Sequence, residues 1–211
     1  MLKIITPILL LASLTSCQSA YYSTMEKFGV HKREILVDRV EEARDAQKEG
    51  QQEFSSALAQ FKSIIQVDGG KLEKTYNKLN SEYQASQAAA DNISKKIDDV
   101  ESVSRALFDE WEDELENYSS NTLRKNSQQQ LNSTRDKYKN LISAMRSSEK
   151  KLQPVLEKME DQVLFLKHNL NARAISGLKN EVANIDKEVN SLLQALEKSI
   201  AEAQRFINDM Q

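Results

Sequence analysis

The sequence predicts an all-α protein, an elongated antiparallel coiled-coil helical bundle of three to four long helices, and three observations carry that expectation. Only 5 Gly and 2 Pro occur in 211 residues, so the turn chemistry of β-sandwiches and of glycine-dependent α/β enzymes is missing. Apolar residues recur at spacings of three and four along almost the whole chain. Charged residues make up 29% and mean hydropathy is -0.61, which fits helices with one solvated face better than a bundle inside a membrane.

The first residues read as an address. Met1-Leu2-Lys3 carries a positive charge, and the apolar run from Ile4 to Leu14 is broken by Thr6, Pro7 and Ser13. That run is far shorter than the roughly 20 residues a membrane-spanning helix needs. Leu14-Thr15-Ser16-Cys17 is similar to a bacterial lipobox, in which an aliphatic residue stands three before a cysteine that is diacylated and becomes the new N-terminus. Residues 1–16 are therefore expected to be a lipoprotein signal peptide, Cys17 the lipidation site, residues 17–24 a lipidated tether, and residues 25–211 a single helical coiled-coil domain. Acyl chains anchor firmly together, since membrane binding grows by about 0.8 kcal/mol per buried methylene. Gln18 in place of Asp resembles the outer-membrane sorting state, which places the chain on the inner leaflet of the outer membrane, facing the periplasm.

The helical runs follow in order. Leu36, Val40, Ala43, Gln47, Gly50, Phe54, Ala57, Phe61 and Ile64 form an alternation of fours and threes, interrupted chemically by Gln47 and Gly50. Leu72, Tyr76, Leu79, Tyr83, Ser86, Ala90, Ile93, Ile97, Val100, Ser104, Leu107 and Trp111 form the second seam. The third is thin at Leu123, Leu131 and Tyr138, then firms through Ile142, Met145, Leu152, Leu156, Met159, Val163, Leu166 and Leu170. The fourth runs from Ile175 through Leu178, Val182, Ile185, Val189, Leu192, Leu196, Ile200, Ala203 and Ile207 to Met210, with a slip where Leu192, Leu196 and Ile200 are spaced by four twice. Sustained heptads predict left-handed supercoiling.

Turns are expected at Asp68-Gly69-Gly70, where glycine supplies a helix C-cap, and at Asn117 to Thr122, a polar cluster with several N-cap candidates. Asn169 to Arg173 reads either as a third turn or as a stutter in a continuous helix, and Pro154 as a kink. Charge supports the second turn. Nine acidic residues stand against Arg105 between Asp98 and Glu116, and five basic residues against Asp136 between Asn121 and Asn140. Each run opposes its own helix dipole, and a hairpin near Ser119 sets the two side by side as complements.

Met25-Glu26-Lys27-Phe28-Gly29-Val30-His31-Lys32-Arg33-Glu34-Ile35-Leu36-Val37-Asp38-Arg39-Val40 and Asp161-Gln162-Val163-Leu164-Phe165-Leu166-Lys167-His168-Asn169-Leu170-Asn171-Ala172-Arg173-Ala174-Ile175 resemble a family of bacterial proteins, the domain of unknown function numbered 2959. The resemblance covers nearly all of the chain after the signal. It implies a helical envelope protein and brings no catalytic residues.

Chemistry is argued against motif by motif. A phosphate-binding loop needs a glycine five residues before Gly70-Lys71 and a hydroxyl after it; Ile65 and Leu72 stand there instead, so no nucleotide is expected. A net charge of -3 gives no general field for nucleic acid. His31 and His168 are the only histidines, expected at opposite ends of the rod, and the lone cysteine is assigned to lipid, so no metal or other cofactor is expected. His168 reads as a hydrogen-bonded side chain at a helix end or seam. The carboxylates around Trp111 lack calcium-loop spacing and read as a solvated acidic face. No Gly-x-Ser-x-Gly elbow is present, and no catalytic residue is assigned.

Two places carry more apolar surface than one seam consumes: the stretch around Phe28, Ile35 and Val37, and the turn Val163-Leu164-Phe165-Leu166. Central burial is the commoner fate of such surface in a four-helix bundle; the alternative is a partner surface formed by Phe28, Ile35, Val37, Leu164, Phe165 and His168. The functional expectation is a non-enzymatic scaffold, spacer or adaptor that meets the membrane through its lipid and an envelope protein, or a second copy of itself, through that surface. Its rivals are a membrane-remodelling or pore-forming helical protein and an enzyme whose cleft only a structure would reveal.

Overall fold

A computed structural model of the chain describes residues 31–63, 72–169 and 172–211, all but a few of them in helices. The helices are α1 (Lys32–Ser63), α2 (Leu72–Leu115), α3 (Asn121–Glu149), α4 (Leu152–His168) and α5 (Ala172–Met210). No strand occurs among the described residues. The longest helix, α2, has 44 residues and so extends over about 66 Å.

Cross-helix pairs give the topology. Lys32–Glu110, Glu42–Lys96 and Ser56–Glu82 set α1 antiparallel to α2. Phe108–Tyr138 and Arg146–Asp98 set α2 antiparallel to α3. Lys137–Asp209, on α3, and Lys151–Ser191, at the start of α4, set this arm antiparallel to α5, and Arg44–Gln204 and Lys62–Asp186 close the ring by setting α5 antiparallel to α1. The third arm is α3 and α4 in succession, so the whole is an up-down-up-down four-arm bundle.

The expected turns fall where the chain reverses. Ser120 caps α3, its hydroxyl accepting from the Leu123 backbone N–H at 3.4 Å. Helices α4 and α5 are separate and lie side by side, so one continuous helix through Asn169–Arg173 is set aside; residues 170 and 171 themselves lie outside the described residues. Asp68-Gly69-Gly70 lies outside the described residues, between the antiparallel α1 and α2. Pro154 ends the helix where a kink is expected. Lacking an N–H, it cannot bond to the Lys150 carbonyl four residues back, and its ring crowds that carbonyl; α3 stops at Glu149 and α4 restarts at Leu152.

The seam residues make the core, with Leu36, Phe54, Phe61, Leu79, Ile93, Ile97, Leu131, Met145, Met159 and Leu166 among its fully buried side chains. Of three departures from the expected seam, two share one cause. Ser148 fills the heptad place between Met145 and Leu152, and Ser199 fills the place between Leu196 and Ala203, while Ile200 is half-buried. The α5 slip therefore vanishes once a serine is admitted to the core. Both serines meet Gln47, a polar member of the first seam: it donates to Ser148 at 3.1 Å and accepts from Ser199 at 2.9 Å. The third departure is Leu141, buried where Ile142 is expected.

Gly50 permits α1 and α2 to close up at the next layer, since a Cβ there would stand 2.5 Å from the Ile93 Cδ1 atom. Beyond the level of Lys32 and Glu110 the described part of the bundle is α2 and α3 alone. Leu123, expected in the seam, is 56% exposed on this hairpin, because no third described helix reaches it. A small cluster of Phe108, Leu115 and Leu131 with Trp111 and Tyr138 holds the hairpin.

Candidate partner surfaces at the two ends of the bundle

One end gathers the start of α1, the end of α5 and the α2–α3 hairpin. Lys32 and Arg33 lie in the first turn of α1, where cations oppose the dipole, and both are relieved by neighbours. The Lys32 ammonium reaches the Glu110 carboxylate at 2.6 Å, and the Arg33 guanidinium donates to the Met210 carbonyl at the electronegative end of α5. The charge complement expected across the hairpin is met by one ion pair between the two runs, and Arg146, beyond the basic run, adds a second cluster. Arg135 pairs with Glu112 while lying 5.3 Å above the Phe108 ring, and Arg146 bridges Asp98 at 2.6 Å, Glu101 at 2.8 Å and Glu149 at 2.7 Å. Hydrogen bonding to Glu101 chiefly holds the Arg146 guanidinium charged. The Trp111 indole N–H donates to Ser127 at 2.8 Å, and burial pushes the Tyr138 phenol up against the partial relief of a Ser104 hydrogen bond.

Of the six residues expected as a partner surface, the five that the structure describes fall into two groups at opposite ends of the bundle. Phe28 lies outside the described residues. Ile35 is corrected to core: it is 4% exposed, because α1 faces both α2 and α5 and so buries two adjacent apolar positions, Ile35 and Leu36. Val37 is half-buried beside Arg33, Glu34, Asp38 and Met210. At the far end of the bundle Leu164, Phe165 and His168 share an exposed side of α4, with Leu164 45% and Phe165 40% exposed. Central burial, the commoner expectation for that apolar turn, therefore fails for Leu164 and Phe165. Val163 and Leu166 satisfy the core on the opposite side. His31 and His168 stand at opposite ends, as expected.

Next to Phe165 the structure adds residues that periodicity does not mark. A cleft of about 420 Å³ between α4 and α5 is lined by Lys158, Asp161, Gln162, Phe165, Leu178 and Glu181. Gln162 is 2% exposed, and neither its Nε2 nor its Oε1 has a hydrogen-bond partner. Leaving such a group unsatisfied costs about 1–3 kcal/mol. The sequence signal was an uncharged polar residue directly before the all-apolar turn, in Gln162-Val163-Leu164-Phe165-Leu166. On the α2 side, burial and the nearby Glu160 carboxylate raise the Tyr83 phenol.

Among the described residues no helix is long and apolar enough to cross a membrane, and no group of three or more His, Cys, Asp or Glu is placed to hold a metal ion. A family model described as a protein of unknown function, DUF2959, matches residues 21–210. No curated protein and no solved structure matches the chain.

Proposed function

Because the chain belongs to the DUF2959 family, whose description assigns no activity, we propose from its own residues that it is a non-enzymatic, lipid-anchored spacer and adaptor of the bacterial envelope. Cys17 carries the lipid on the inner leaflet of the outer membrane, and the bundle stands in the periplasm. The feature that supports this reading is the pair of exposed apolar side chains Leu164 and Phe165 beside the α4–α5 cleft, at the end of the bundle opposite the start of α1; Tyr118 and Leu123 are exposed at the other end, on the α2–α3 hairpin. A rod whose tip carries apolar side chains away from its tether is suited to meeting a second component at a distance.

The test has two arms. A fatty-acid probe fed to cells should label the wild-type protein and leave Cys17→Ser unlabelled and free of the membrane. A photocrosslinking side chain at position 165 of the lipidated protein should give a discrete adduct in intact cells, and one at position 114 on the proximal hairpin should not. An unlabelled soluble wild type would overturn the anchor, and adducts equal at both ends would overturn the distal adaptor.

A further inference from the structure

Gln162 forms part of the wall of the α4–α5 cleft, almost wholly withdrawn from water, with donor and acceptor both unmet. The remaining buried side-chain atom without a partner among the described residues is the Ser86 hydroxyl, which lines none of the clefts described above. A carboxamide offers one donor group and one acceptor in a single plane. A lone carboxylate ligand would answer the Nε2 and leave the Oε1 unmet; a lone ammonium would do the reverse. An extended peptide residue answers both, because its own N–H and C=O project from the same edge of the chain, as they do toward a neighbouring strand.

We propose that this cleft binds an extended peptide segment of a partner protein, with one residue of that segment paired in both directions to the Gln162 carboxamide. The proposal rests on the distal adaptor reading and names the chemistry of its partner. The volume, about 420 Å³, lies within the roughly 300–1,000 Å³ of ordinary ligand sites. Phe165 and Leu178 supply apolar wall for a side chain of the segment. Asp161 and Glu181 outnumber Lys158 among the charged lining residues, so the side chain favoured at the paired position is basic.

The test uses the full-length protein with glutamine side chains labelled with nitrogen-15 and, as ligand, the blocked tripeptide acetyl-Ala-Lys-Ala-amide. The Gln162 side-chain amide signals should shift saturably and the melting temperature should rise. An analogue with a methyl on the central backbone nitrogen should bind about tenfold or more weakly, since it leaves the Oε1 unmet. Gln162→Leu should keep its helical signal, melt higher without peptide because the orphaned amide is gone, and lose the peptide response. Glu181→Lys, which leaves Gln162 in place, should turn the preference toward acetyl-Ala-Glu-Ala-amide. Gln162 signals unmoved by peptide, equal binding of the methylated analogue, or a full response in Gln162→Leu would each overturn the cleft as a peptide site. Labelling at Cys17 reads the anchor separately, so loss of the peptide response with anchoring intact removes this proposal alone.

Discussion

Gln47 and Ser199 lie 152 positions apart and meet at 2.9 Å in the centre of the bundle, both fully buried, with the Ser199 hydroxyl donating to the Gln47 Oε1. The Nε2 of the same carboxamide donates to Ser148, whose hydroxyl in turn donates to the Met145 carbonyl at 2.7 Å. Three of the four arms are thus tied at one level by a hydrogen-bonded layer. A one-heptad slip of any of those arms would leave polar groups opposite apolar ones, and such layers can set register in coiled coils.

Ser199→Ala leaves the Gln47 Oε1 buried and unmet, and should cost about 1–3 kcal/mol in urea unfolding. The triple change Gln47→Leu, Ser148→Ala, Ser199→Ala removes the layer altogether and should recover most of that loss. A triple variant less stable than Ser199→Ala would show that the layer contributes stability beyond satisfying its own members.

Gly50→Ala adds the Cβ that meets Ile93 Cδ1, and overpacking of this kind costs about 1–3 kcal/mol. Ile93→Val deletes that Cδ1. In its background Gly50→Ala should change sign and stabilise by about 0.5–1 kcal/mol, the helix preference of Ala over Gly. Additive effects of the two changes in a double-mutant cycle would contradict the close approach of α1 and α2.

Acid should weaken the bundle partly through Glu42. The Lys96 ammonium hydrogen-bonded at 2.7 Å, with Arg39 beside it, holds the Glu42 carboxyl below its usual 4.5. A depressed carboxyl stabilises the fold fully above the unfolded value and loses that contribution as pH falls through the folded one. Glu42→Gln should therefore destabilise at neutral pH and show a shallower decline below about pH 4.5 than wild type, followed by denaturant midpoints across that range.

The apolar turn near the end of α4 should divide by side. Leu166→Ala empties a fully buried position and should cost about 2–5 kcal/mol. Leu164→Ala removes a side chain that is 45% exposed and should stay within about 0.5 kcal/mol in stability, while weakening the crosslinked adduct formed from position 165. Equal losses at 164 and 166 would place Leu164 in a buried interface.

Sequence alone determined the helices, the seams and the hairpin at Ser120, because apolar spacing, capping side chains and opposed charge runs are local properties of the chain. It could not find Ser148 and Ser199 in the core, since periodicity counts apolar side chains and a buried serine becomes acceptable only when a partner such as Gln47 arrives from another helix. Leu164 and Phe165 posed the converse difficulty. An apolar turn reads the same whether or not a helix covers it, and whether it is covered depends on which sides the neighbouring helices occupy. Ile35 went the other way for the same reason, buried because α1 has two neighbours. The unmet carboxamide of Gln162 was decided last and only in three dimensions, because whether a polar atom has a partner is a property of everything packed around it.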